Sequence, residues 1–399
     1  MPFEPTPRAR SRSRVAHRSG GVIAALAAVV AIVVPATAAA ALHHAIALAG
    51  GGELSGSPAI GGHGFGLVRY DLDGLPRQSH FAAELNTDTL RVSYDRLRLG
   101  PVEVGVSAAG EVLIAGLLTD YYRDGRNDPA RGFYASYAFA GAYAKMGVGA
   151  HFFELAAAAR RWFFARAGDT SAALTLPPEA WVGELRLRYT LWMLRPDPSL
   201  YQAQRLHARL RGVALGVELG LDERSQASPW GARDVAFTPS DPRNAPGSSI
   251  FLARQWLRAG VALHPRVRVQ VDEVATWMWN EDDLVRLRVG GFNPYSVPLA
   301  GAPWAGYLAG KLAAVDASLH VRVWRDHEVG VVADGVVLDD PRRTADSGVG
   351  VLGGVGAFVD ARVGAWQLDV RGGWSPTARP GSVAGSWGLF AAAGWAWSR

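Results

Sequence analysis

Apolar and polar residues alternate one for one along most of this chain, the period of a strand whose two faces meet different surroundings. Arg266-Val267-Arg268-Val269-Gln270-Val271-Asp272 sets three valines against two arginines, a glutamine and an aspartate, and Glu184-Leu185-Arg186-Leu187-Arg188-Tyr189-Thr190-Leu191 repeats the pattern. Alternation continues from Gln204 to Leu210. Beyond Gly212 the apolar set shifts phase to Val213, Leu215, Val217 and Leu219, which predicts a bulge or tight turn at Arg211-Gly212. Similar runs predict strands at 64–72, 80–86, 90–96, 102–108, 112–118, 134–143, 251–263, 319–324, 329–337, 349–360, 366–374 and 387–397. His151 to Arg166 reads either as a strand or, from its alanine run, as a helix.

The connections have two styles. His264-Pro265 and Ala109-Gly110 predict tight turns, whereas Asp222 to Ser249, with four prolines, and Asp120 to Gly132 are long and polar. Tight turns at one end and long loops at the other are the habit of outer-membrane barrels. Trp277, Trp279, Trp304, Tyr307, Trp374, Trp387, Trp395 and Trp397 fall near strand ends, where interfacial girdles belong. Hydrocarbon offers no hydrogen-bond partner, so a sheet in lipid must close on itself. Its polar face then lines a wet interior, which makes Arg186, Arg188, Arg266 and Arg268 the expected pore-lining residues. From Pro58 onward 342 residues remain; at roughly 21 per strand and connection, they give an all-β transmembrane antiparallel β-barrel of about 16 strands. A soluble sandwich or propeller alternates in the same way, but the serial arginines, the lack of a blade-length repeat and an export signal favour the barrel.

That export signal opens the chain. Arginines at 8, 10, 12, 14 and 18 precede thirteen apolar residues, Val22 to Val34, then Pro35 and a run of small residues. This predicts a secretory signal peptide over 1–40, a flexible linker over 41–57 and a barrel over 58–399, the alternative at the start being an uncleaved anchor. The leader carries most of the formal charge of +5, leaving 36 Lys+Arg against 35 Asp+Glu, which argues against a nucleic-acid partner. With no cysteine, the chain has no disulfide, thiolate nucleophile or Cys-ligated metal.

Gly348-Val349-Gly350-Val351-Leu352-Gly353 fits a dinucleotide loop, with Asp369 downstream, but the next segment, Val355 to Val363, is strand-like and offers no helix N-terminus for a pyrophosphate. His327-Glu328 lacks the second histidine of a zinc helix, since position 331 is Val. The groups Glu281-Asp282-Asp283 and Asp339-Asp340 read as solvated loop charges in preference to calcium ligands. A nucleophile elbow is missing, which leaves His151, His207 and Asp272 as bare guesses for a barrel hydrolase. No catalytic residue, metal or cofactor is expected.

Between residues 284 and 397 a particular order of features occurs. Arg288-Val289-Gly290-Gly291-Phe292-Asn293-Pro294-Tyr295 is followed by prolines 298 and 303, then Val331-Val332-Ala333-Asp334-Gly335, then strand-like runs 348–363, 366–374 and 387–397. This order resembles the bacterial surface antigen family, the barrels of outer-membrane protein insertases and two-partner secretion transporters. The resemblance implies a loop folded back into the lumen, whose tip (Arg288, Gly290, Gly291, Phe292) pairs with Asp334 beside Gly335. It also implies a role without catalysis in protein translocation or outer-membrane assembly. Implied partners are the outer-membrane lipid, client outer-membrane or secreted proteins and a separate periplasmic partner. Client strands would add at a weakly paired seam between the first and last strands. A passive or anion-selective channel set by the four arginines is the alternative, and a barrel hydrolase the second.

Overall fold

The computed structural model describes residues 42–53, 64–86, 89–111, 117–119, 122–123, 126–127, 129–196, 210–232, 247–291, 297–302, 306–325, 327–339, 349–378 and 385–398. The expected signal peptide over 1–40 lies outside them. Sixteen long strands succeed one another along the chain: β1 (His43–Glu53), β2 (Gly64–Asp73), β3 (His80–Asn86), β4 (Thr89–Leu99), β5 (Val102–Glu111), β6 (Phe133–Val148), β7 (His151–Arg166), β8 (Trp181–Trp192), β9 (Leu210–Arg224), β10 (Ser249–His264), β11 (Val267–Trp279), β12 (Lys311–Trp324), β13 (His327–Asp339), β14 (Val349–Val363), β15 (Trp366–Ser375) and β16 (Ser386–Ser398). Each pairs antiparallel with its neighbours in sequence, and β1 pairs with β16 from His43↔Ser398 to Glu53↔Gly388, so the sheet closes into a barrel. Closure removes the edges that a bilayer cannot satisfy.

Three expectations change. Residues 41–57 are not a linker from end to end, because 43–53 form β1. The Gly50-Gly51-Gly52 run that looked flexible is paired to β2 on one side and β16 on the other. Ala109-Gly110 is no turn but the interior of β5, paired to both β4 and β6. The helix alternative for His151 to Arg166 gives way to a sixteen-residue strand, since β6 and β8 pair along it; cross-strand partners outweigh alanine's helix propensity. The phase change at Gly212 coincides with a left-handed φ of 104°, where an added Cβ would sit 2.3 Å from the Met193 carbonyl oxygen.

Alternation along the strands matches the two faces. On β13, Val329, Val331 and Val337 are exposed on the outer face while Glu328, Val332, Asp334, Val336 and Leu338 are buried on the inner one. Exposed Trp181, Trp277, Trp279 and Trp387 mark the outer face near the long-loop end, and Trp366 stacks on Trp395 at 5.8 Å near the tight-turn end. Trp304 is outside the described residues, and Tyr307 is no girdle residue, being buried in a loop inside the barrel.

Candidate functional site

After β11 the chain turns at Asn280 (φ 61°), and the described parts of the connection to β12, residues 281–291, 297–302 and 306–310, lie inside the lumen. The base of this loop is tied at Asp282, which is 0% exposed. Arg224, the last residue of β9, donates from Nη1 to Asp282 Oδ2 and from Nη2 to Oδ1, both at 2.8 Å, and Trp230 Nε1–H donates to Oδ2 at 2.8 Å. Such a two-pronged guanidinium–carboxylate contact fixes direction as well as distance. Arg286 meets Asp283 at 2.5 Å and Glu281 at 3.5 Å. The acidic triplet is therefore a buried anchor and not the solvated charge cluster its sequence suggested.

Above the anchor, Leu287–Val289 pairs with Tyr307–Ala309 as a short hairpin stem. Within it, the Val297 N–H donates to Arg288 O at 2.9 Å and the Gly290 N–H donates to Val297 O at 3.0 Å. Gly290 (φ 126°) and Gly291 (φ 72°) occupy conformations that side chains resist. The chain then reaches the inner wall, where the Ala300 N–H donates to Asp334 Oδ2 at 2.5 Å. Backbone lies directly on backbone there: a Cβ on Gly354 of β14 would sit 2.2 Å from Ala300 O, and one on Gly301 would sit 2.3 Å from Trp374 Cα of β15.

The loop stays inside because it covers an apolar patch. Val289, Leu299, Ala302, Tyr307 and Ala309 pack on Leu312, Ala314, Val336, Leu338 and Leu352, which point inward from β12, β13 and β14. In an open lumen these wall residues would face water, and burying each Leu or Val is worth about 1.5–3 kcal/mol.

The structure sorts the residues singled out from sequence. Asp334 faces inward and holds the loop, but through the Ala300 amide. Arg288 sits in the hairpin stem, paired opposite Leu308 and half-buried. Phe292 is outside the described residues. Gly335 faces outward, with nothing within 4 Å of the position a Cβ would take, so no contact with the loop requires it to be glycine. Arg224, Trp230 and Ala300 escaped the sequence reading, in which Asp282 figures only as a solvated loop charge. One signal for the docking surface was present: Val331 to Leu338 is apolar on both faces apart from Asp334 and Gly335, and a wall apolar on its inner side needs a cover.

Of the four arginines, three face the lumen and all three are paired. Arg186 meets Asp222 at 2.5 Å, Arg188 lies between Glu154 and Glu218 at 2.5 Å each, and Arg268 meets Glu328 at 2.6 Å. Arg266 is not pore-lining; it is exposed in the turn between β10 and β11, because the strand starts one residue later than its alternation implied. His151 points outward, its Nδ1 2.9 Å from the Tyr189 hydroxyl, whereas Asp272 points inward and meets Arg258 at 2.7 Å. The wall separates them, and His207 is outside the described residues. Among the described residues no group of three or more His, Asp or Glu side chains is placed to hold a metal ion.

A closed sixteen-stranded antiparallel barrel with apolar residues outside, aromatic belts and a loop folded into its lumen defines a transmembrane barrel of the outer-membrane class. Among solved structures it is similar to CdiB from Acinetobacter baumannii (TM-score 0.54, 11% identity, covering 90% of this chain and 61% of that one). It is likewise similar to CdiB from Escherichia coli (0.55, 12%, 87% and 62%) and to BamA from Haemophilus ducreyi lacking POTRA domains 1–3 (0.56, 10%, 89% and 70%). At these identities the likeness is one of fold. This chain spans less than two thirds of the length of either CdiB chain. No protein-family model matches the sequence, and no curated protein matches it.

Proposed function

We propose that this protein is an outer-membrane barrel acting in protein translocation or outer-membrane assembly, with residues 280–310 closing its lumen at rest. The observation that carries this reading is the inward loop, tied at its base by Arg224–Asp282 and near its tip by Ala300–Asp334. CdiB and BamA, whose barrels share the fold, are barrels of translocation and assembly. In this reading Asp334 is the acidic member of the loop contact, and the turn at Gly290 and Gly291 aims the chain at it. Lipid surrounds the outer face, client outer-membrane or secreted proteins are the substrate, and a separate periplasmic partner meets the tight-turn end.

The seam between β1 and β16 supports strand exchange in a different way from that expected. It is fully paired in register, not sparsely paired. Three facing pairs in its middle are small, however: Ala47↔Gly394, Ala49↔Ala392 and Gly50↔Ala391, although Ile46 faces Trp395 nearer the tight-turn end. Cross-strand side-chain contacts add stability to a sheet, and at those three pairs there is little side chain to make them. A client strand would trade one set of backbone hydrogen bonds for an equal one.

The test is a disulfide across the seam. Leu48→Cys with Ala393→Cys, register partners in a chain that lacks cysteine, should lock it when oxidised. Cells lacking the protein should lose particular barrel or secreted proteins from the outer membrane, and the reduced variant should restore them while the oxidised one does not. An unchanged outer-membrane proteome contradicts the proposal. The channel reading draws on the charged inner wall from β7 to β11, with Glu154, Arg160, Arg186, Arg188 and Glu218, and is favoured if solute uptake changes while the proteome does not.

A further inference from the structure

Glu273 breaks the pattern that the outer wall otherwise keeps. It lies on β11 in register with Leu257 and Val315, and it alternates with Asp272, which points inward to Arg258. Among the described residues, the other acidic and basic side chains on the outer face sit near a rim: Arg161 level with Trp181, Glu223, Lys311 and Asp339 beside strand ends on the loop side, and His44 and His151 at the tight-turn side. Glu273 is the seventh of the thirteen residues of β11. That places it about 20 Å along the strand from either end, or about 15 Å in height at a tilt of about 40°, in the middle of an apolar band about 25 Å tall.

Its described partner is Gln255 on β10, which also points outward and donates from Nε2 to Glu273 Oε1 at 3.4 Å. Among the described residues, this leaves the second carboxylate oxygen and the second amide N–H of the pair without a protein partner. Beside them the wall is low. Ala313 and Ala317 on β12 and Ala333 on β13 lie on the same face, and at Gly335 a Cβ would meet nothing within 4 Å.

We propose that this outer face, from β10 to β13, is the contact between two copies of the chain within the membrane. Lipid tails cannot complete the hydrogen bonds of a carboxylate and an amide at this depth, so an ionisable group there calls for a protein partner. The pair is self-complementary. A two-fold axis beside it sets the spare Gln255 N–H of each copy on the spare Glu273 oxygen of the other, the same patch serving both sides. Small residues alongside allow two walls to approach closely.

The absence of cysteine makes the test direct. Val315→Cys, level with Glu273 and exposed on the same face, is compared with Val106→Cys, exposed on β5 across the barrel. Full-length protein in outer-membrane fractions is oxidised with copper phenanthroline. A disulfide-linked band of twice the chain's mass is expected from position 315 and not from 106. Adding Gln255→Leu and Glu273→Leu to the Val315→Cys chain should lower the yield by at least about tenfold, while heat-modifiable migration shows the barrel still folded. Four outcomes overturn the proposal: no dimer from 315, equal dimer from 106, a yield indifferent to loss of the polar pair, or an adduct with the mass of a different protein.

Discussion

Replacing Asp282 by alanine removes one member of a deeply buried ion pair at the base of the lumenal loop and leaves Arg224, 7% exposed at its side chain, without its carboxylate. Breaking a buried pair in this way costs about 3–5 kcal/mol. The carboxylate binds Arg224 on β9 and Trp230 after it, so its loss falls on the docked loop and not on the barrel's strand pairing. If the lower figure of about 3 kcal/mol is charged to the docked state alone, the population with the loop released rises about 150-fold. The assay exploits the cysteine-free chain. Ala302 is 1% exposed within the docked loop, and the rate at which a maleimide labels Ala302→Cys under native conditions tracks the released population. Asp282→Ala should raise that rate by about two orders of magnitude, with gel migration still heat-modifiable. An unchanged rate would mean that the Arg224–Asp282–Trp230 contact does not hold the loop, and the anchoring argument would fail.

Gly354→Ala places a methyl group 2.2 Å from the Ala300 carbonyl oxygen, so it should eject the loop tip and raise the same labelling rate without unfolding the barrel; a normal rate would show that the tip does not rest on β14. Asp334→Ala removes an acceptor worth about 1.5–3 kcal/mol and should speed labelling about 10- to 150-fold. Because the described contact of Asp334 with the loop is the Ala300 amide, a double-mutant cycle of Arg288→Ala with Asp334→Ala should give a coupling below about 0.5 kcal/mol. A larger coupling would restore a direct arginine–aspartate contact as the hold on the tip.

The barrel was legible because lipid outside and water inside imprint a period of two on every spanning strand, as in Val267 to Asp272. The first strand was not. Its outer positions are His44, Ile46, Leu48 and Gly50, and its inner ones are mostly alanine and glycine, so the two faces differ too little in polarity to register. Asp334 could be singled out as a loop contact because its motif has a recognisable order, whereas its partner, a backbone amide at Ala300, carries no side-chain signature. The base anchor was hidden for another reason. Arg224 and Asp282 are 58 residues apart and each stands among other charges, so only the closure of β9, β10 and β11 brings that pair together and buries it.

Closure of the lumen by residues 280–310 is the claim most open to direct measurement. Purified wild-type protein in planar bilayers should pass small, flickering currents, and deleting residues 288–304 from a barrel that still shows heat-modifiable migration should turn these into large, steady ones. Large, steady currents from the wild type that the deletion leaves unchanged would contradict it.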